Sequence, residues 1–293
     1  MKVLLHLGIH CTDEDRLLRC LLANTGTLAQ EGIAVPGPSR YRGLLEQSVQ
    51  KLKGQPASME TRHVVLESIL GDDEADHVFL SFENFVCVPQ RVFERGRLYN
   101  NIAHKPAWLR DLFADHQVEF ALAVKNPATF IPELLRHPRQ TRRELPDLLQ
   151  GAKPTELRWA QVIATLQQHN PGCPVTVWAN EDTPLIWLQI MHEVTGLDAN
   201  IRLKGGLDIV SKLMRQEGMQ RLRSYLASHP PKTEIQRRRV LAAFLDKYAI
   251  EEEIEEEIDL PGWTEAIVSE LTESYEDDLA EISRLPGVNF ISP

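Results

Sequence analysis

Four short runs of β-branched and apolar residues, Val3 to Leu7, His77 to Ser81, Val118 to Val124 and Val175 to Ala179, are separated by long stretches with apolar residues every three or four positions. That alternation constrains the chain more than any other feature. Strands joined through helices need crossover connections, and crossovers produce a mainly parallel sheet. The runs are nearly continuous in apolar residues, as strands covered on both faces are. Open parallel sheets place ligands beyond the carboxyl ends of their strands. The candidate site loops are therefore Gly8 to Thr12, Phe82 to Asn84, Lys125 to Pro127 and Asn180 to Pro184.

Between the strands the spacing predicts helices over Asp13 to Gln30, Arg42 to Leu52, Glu60 to Leu70, Asn101 to Ala114, Ala128 to Arg136, Glu156 to His169 and Pro184 to Thr195. Beyond Gly206 no strand is predicted, and helices are expected over Asp208 to Ala227, Glu234 to Tyr248 and Trp263 to Ser283. This divides the chain into an α/β domain over residues 1–205 and a helical C-terminal extension, 206–293, packed on the same domain. The cationic cluster Gln236 to Arg239 and the acidic run Glu251 to Asp259 are close in sequence, so a salt-bridged helical hairpin is expected there.

A chain of 293 residues with 43% apolar and 25% charged content can build a sizeable core. Its formal charge of -10 argues against general affinity for nucleic acid or acidic membranes. Any anion site must be a local concentration of cations. Cys11, Cys20, Cys87 and Cys173 are far apart, without a C-x-x-C pair, so neither a zinc ribbon nor a disulfide framework is indicated and a cytoplasmic location is expected. No run approaches the ~18 apolar residues of a membrane span.

The loop after the first strand reads Gly8-Ile9-His10-Cys11-Thr12-Asp13-Glu14-Asp15, in the position of a phosphate cradle. Such a cradle needs glycine in tight turns, converging backbone N–H groups, a helix start and usually a lysine. The run His6-Leu7-Gly8-Ile9-His10, followed by Leu17, Leu22, Asn24, Leu28, Gly32-Ile33 and Pro36, resembles the opening of bacterial sulfotransferase-like proteins. Their loop reads roughly H-x-G-x-H-K-T-G-T-T-S and binds the 5′-phosphosulfate of PAPS, the sulfate donor. The resemblance implies a P-loop NTPase-like three-layer α/β fold, with Gly8, Ile9, His10, Cys11, Thr12 and Lys125 at the donor site and PAPS or its product PAP as ligand.

Here Cys11 stands at the family's lysine, Asp13 at its second glycine, and Glu14 and Asp15 at its Thr/Ser positions. Thr12 to Asp15 instead fits a capping box, with Thr12 as N-cap and Asp15 reaching back to the Thr12 amide. Three carboxylates in that turn would repel a nucleotide, since two charges near 6 Å at an effective dielectric of 20 interact by about 3 kcal/mol. His6, His10 and Cys11 are also residue types that suit zinc.

His77 to Phe85 is similar to the family's strand ending in S-x-E-x-F, which makes Glu83 the candidate general base for an acceptor hydroxyl, with His10 as the second catalytic candidate. Phe120 to Pro127 resembles the strand and R-x-P turn that hold the donor's 3′-phosphate. Lys125 replaces the arginine, and Pro132 and Glu133 occupy the stretch where a serine is expected. Lysine keeps the charge without the bidentate fork. In the first turn of its helix Pro132 would be structurally harmless. Arg40, Tyr41 and Arg42 are candidate contacts for an anion, Asp182 or Thr183 is expected to cap the helix at Pro184, and Trp187 suits either core or pocket wall.

Three functions remain open on these residues. One is a sulfotransferase-like protein with a diverged donor site, taking a small anionic or hydroxylated ligand. A second is an active sulfotransferase using Lys125, Arg16 and Arg40 for charge and Glu83 as base. The third is a metal-dependent enzyme using His6, His10 and Cys11.

Overall fold

A computed structural model describes residues 1–142, 144–254, 258 and 260–293. The strands are β1 (Lys2–His6), β2 (Ile33–Ala34), β3 (His77–Ser81), β4 (Gln117–Val124), β5 (Val175–Ala179) and β6 (Val288–Ile291). They form one six-stranded sheet in the order β2-β3-β1-β4-β5-β6, and every pairing is parallel. The helices are α1 (Arg16–Leu22), α2 (Thr25–Gln30), α3 (Pro38–Leu52), α4 (Met59–Leu70), α5 (Lys105–Asp111), α6 (Pro127–Arg136) and α7 (Leu145–Leu149). They continue with α8 (Trp159–His169), α9 (Thr183–Thr195), α10 (Val210–Leu213), α11 (Gln216–Ser228), α12 (Glu234–Tyr248), α13 (Glu251–Ile254) and α14 (Glu265–Ile282).

Period-2 alternation along central strands divides the core into two layers. Val3, Leu5 and Leu80 face α3, α4, α6, α8 and α14 through Tyr41, Leu45, Ile69, Phe130, Trp159 and Tyr275. Leu4, Phe79, Ala121 and Trp178 face α1, α2 and α9 through Leu17, Leu21, Leu28, Ile186 and Ile190. A smaller cluster, Val210, Met214, Met219, Leu222 and Leu241, holds α10 to α12 together. The architecture is thus three-layer α/β, with helices on both faces of the parallel sheet.

Several expected boundaries are corrected. A sixth strand exists beyond Gly206: Val288–Ile291 pairs with β5, so the C-terminal part is helical only as far as the turn after α14. Its four residues at a sheet edge carry too little alternation to stand out. The helix expected over Asp13 to Gln30 starts at Arg16 and breaks at Asn24, whose buried amide bonds the Cys20 carbonyl and both backbone groups of Lys204. The helix expected over Asp208 to Ala227 breaks at Met214, which bridges to Ala249. Pro132 lies well inside α6, where it costs the helix one backbone hydrogen bond. Among the described residues Arg237 and Arg238 form no ion pair with the acidic run. Arg237 donates to the Gly206 carbonyl, and Arg238 to Ser292 and Gln189, tying α12 to its neighbours. Residues 255–257 and 259 of that run lie outside the described residues.

The α14 helix positions the site from a distance. Its buried Asp278 accepts from the backbone N–H groups of Trp159 and Ala160 and so caps α8 from 118 residues away. Tyr275 donates to Glu181 at 2.8 Å and approaches the Val124 carbonyl at 3.2 Å. Asp278→Ala leaves two buried N–H groups without an acceptor and is expected to lower stability by about 2 kcal/mol. Urea unfolding against Asp278→Asn, which retains an acceptor, measures this. An unchanged midpoint for the alanine variant would show that α8 is capped by other means.

Candidate functional site

The loops after β1, β3 and β4 meet at the carboxyl edge of the sheet. Gly8 makes the meeting possible: its φ is +54°, and a Cβ there would lie 2.8 Å from the Glu83 nitrogen and 2.9 Å from the Glu83 Cα. Only glycine allows the two backbones to approach so closely. Cys11, Glu14 and Asp15 also have positive φ, near 58°, 49° and 65°.

The expected capping box does not form. Thr12 Oγ1 donates to the Ile9 carbonyl, and it is Asp13 that accepts from a helix amide, the Leu17 N–H, at 3.0 Å. Asp15 turns to Arg42 and forms a two-pronged pair at 2.6 and 3.0 Å. The reason is competition: Arg42 offers the Asp15 carboxylate two charge-assisted bonds to a full opposite charge, where a capping box offers it one backbone N–H. Arg42 also donates to the Ser81 carbonyl at 2.8 Å and stacks over Phe82, 4.7 Å from the ring centre. Tyr41 donates to the same carbonyl at 2.6 Å. Arg40 points away, to the Leu70 carbonyl and Asp73. Tyr41 and Arg42 therefore anchor the β3 loop, and with Arg40 turned elsewhere the three residues do not form the anion patch expected of them.

His6 is fully buried, stacked between Phe79 and Trp178, with Nδ1 2.9 Å from Ser81 Oγ. Burial lowers its pKa. His10 is fully buried as well, its Nδ1 2.8 Å from the Tyr99 hydroxyl, which also accepts from the His10 N–H at 3.1 Å. The Asn84 amide lies 3.2 Å from Nε2. Turned so that its nitrogen faces the ring, it donates to Nε2 and to the Cys87 carbonyl, while its oxygen accepts from Arg139. That orientation places the ring proton on Nδ1. Burial, with His137 and Arg139 nearby, pulls His10 down to about 4. His10 is neutral at pH 7, with both ring nitrogens engaged.

Cys11 is pushed up to about 12, first by burial and then by Glu133. It is a thiol, without nucleophilic thiolate at neutral pH. Across from it the Lys125 ammonium, 4% exposed, bonds Glu133 at 2.8 Å. Glu83, at the end of β3, bonds Arg139 at 3.0 Å. Three cations at this edge thus each have a carboxylate of the protein beside them: Arg42 with Asp15, Lys125 with Glu133, Arg139 with Glu83.

His6, His10 and Cys11 are not assembled as a ligand set, and among the described residues no three His, Cys, Asp or Glu side chains are grouped to hold a metal ion. At the end of β5 neither Asp182 nor Thr183 caps α9 through its side chain. Glu181 is the working residue there, accepting from the Asn126 N–H and from Tyr275, both at 2.8 Å. Asn126 caps α6 by accepting from Ala128 at 2.9 Å. Tyr99, Arg139 and Glu181 are the site members that sequence reasoning missed. Tyr99 and Arg139 belong to irregular segments with no motif of their own.

These features define the class: an open, all-parallel α/β protein whose loops converge beyond the carboxyl ends of the central strands. No family model and no curated protein matches the chain. Among solved structures it is similar to the crystal structure of a sulfotransferase from Alicyclobacillus acidocaldarius, with 13% identity, a TM-score of 0.40, and coverage of 83% of this chain and 95% of that chain. A likeness of that degree carries no information about ligand or reaction. No described helix is long and apolar enough to cross a membrane.

Proposed function

We propose that this chain is a sulfotransferase-like binding protein whose donor loop no longer serves PAPS, and that it does not act as a standard PAPS-dependent sulfotransferase. The observation that carries this reading is the Lys125–Glu133 bond, at the turn whose sequence resembles the 3′-phosphate subsite. A phosphate arriving there meets a carboxylate within bonding distance of the cation it needs, and like charges close together in a partly buried site repel strongly. Cys11, a protonated thiol, stands where the family's loop places lysine. Glu83, the candidate base, is held by Arg139. The residues present do not fit the nucleotide.

Titration calorimetry with PAP tests the proposal. No saturable heat is expected in the micromolar range. Micromolar binding that Lys125→Met abolishes overturns it, because the buried ammonium would then be serving a donor phosphate.

A further inference from the structure

We infer that a hollow on the outer side of α1, beginning beside the end of the donor loop, binds a compact polyanion of pyrophosphate type. The hollow has a volume of about 290 Å³ and lies between α1, α9 and the segment leading into α10. Its cations are Arg16, Arg19, Lys204 and Lys212, and Asp208 is the acid that faces them. Arg16 makes a long pair with Glu14 at 3.7 Å. Arg19, Lys204 and Lys212 form no ion pair among the described residues, in contrast to Arg42, Lys125 and Arg139 at the sheet edge. In a chain of net charge -10, four cations against one carboxylate in the lining of a single concavity are a local reversal of the protein's field. Such a reversal favours a multiply charged anion over a single carboxylate.

The rim is built and not merely charged. The backbone of Lys204 is held from both sides by the buried Asn24 amide, which donates to its carbonyl at 3.0 Å and accepts from its N–H at 2.8 Å. The next carbonyl, of Gly205, accepts from the indole of Trp187 at 3.2 Å. Gly205 itself has φ +86°, and a Cβ there would run into the Cys20 thiol and lie 2.9 Å from the Asp208 carboxylate. Two buried side chains and one glycine thus fix the backbone that presents Lys204 toward α1. Fixing a site before the ligand arrives is what lowers the ordering cost of binding. A volume near 290 Å³ is at the small end for ligand sites, enough for two phosphoryl groups and a small organic remainder.

The test is calorimetric titration of the full chain with inorganic pyrophosphate. Saturable one-site binding is expected, weakening as salt is raised. Arg19→Ala with Lys204→Ala should weaken it at least tenfold. Both side chains are exposed, so the fold should survive, as circular dichroism can verify. Asp208→Asn should tighten binding, an effect of opposite sign that general loss of structure cannot mimic. Absence of binding, or affinity unchanged in the double variant, overturns the inference. If pyrophosphate fails to bind and PAP is silent as well, only this inference falls. If pyrophosphate binding survives in the double variant and is lost in Lys125→Met, the anion sits at the β4 turn, and the proposed function falls too.

Discussion

Gly8→Ala is expected to lower the stability of the folded chain by about 3 kcal/mol, the sum of left-handed backbone strain near 1 kcal/mol and close-packing strain of 1 to 3 kcal/mol. The contact is backbone to backbone, at 2.8 Å to the Glu83 nitrogen and 3.1 Å to the Phe82 carbonyl carbon, so no side chain can rotate away. Relief requires the β1 and β3 loops to separate. The β3 end is held by Tyr41 and Arg42 on the Ser81 carbonyl, which resists that movement. Urea unfolding measures the loss. Gly43→Ala is the control, because it lies in α3 with a negative φ and open space around it, and it should gain roughly 0.5 to 1 kcal/mol. If Gly8→Ala proves as tolerated as Gly43→Ala, the two loops do not pack as described.

Acidification between about pH 6.5 and pH 4 should remove roughly 3 kcal/mol of stability through His10 alone. Its folded pKa is about 4, below the usual 6.5, because the ring is buried. In that window the unfolded chain binds a proton that the folded chain does not, so folding weakens as pH falls. Above pH 6.5 the ring is neutral in both states and contributes no slope. His6 is shifted in the same direction, also by burial, and steepens the loss. The measurement is the unfolding free energy at pH 7 and pH 4.5, for the wild type and for His10→Gln. The variant should lose distinctly less stability across that interval. Equal losses would mean that His10 reaches solvent, and with it the possibility of acid–base work.

The strands that were legible in the sequence are those of the sheet interior. β1, β3, β4 and β5 are buried on both faces, so their side chains are apolar almost without interruption. The two edge strands were not legible. β2 has two residues, and β6 has four of which only Ile291 is fully buried, so neither leaves a periodic trace. The helix breaks at Asn24 and Met214 were hidden for a related reason: each is made by a partner nearly 180 or 35 residues away. At the candidate site, the loops that carry Gly8, Glu83 and Lys125 were legible from their place at strand ends. Their partners were not, because Arg139 on Glu83 and Tyr99 on His10 are separated from them by 56 and 89 residues and belong to no motif.

Thr12 to Asp15 shows where local inference fails. The spacing fits a capping box, and local energetics favour one by about 1 kcal/mol. Arg42, from α3, offers Asp15 two charge-assisted hydrogen bonds, and Asp13 takes a helix amide instead. A distant charge outweighed a near amide.

From the sequence alone followed the alternation of strands and helices, the parallel sheet and the edge at which its loops gather, because apolar periodicity and crossover geometry are properties of the chain itself. Whether the charges at that edge are available to a ligand was decided only by tertiary structure. Charge neutralisation acts across space: Glu133 reaches Lys125 because α6 turns it back, Asp15 reaches Arg42 across two layers of the fold, and Asn24 and Trp187 hold the loop of Lys204 at the rim of the hollow, where it forms no ion pair among the described residues.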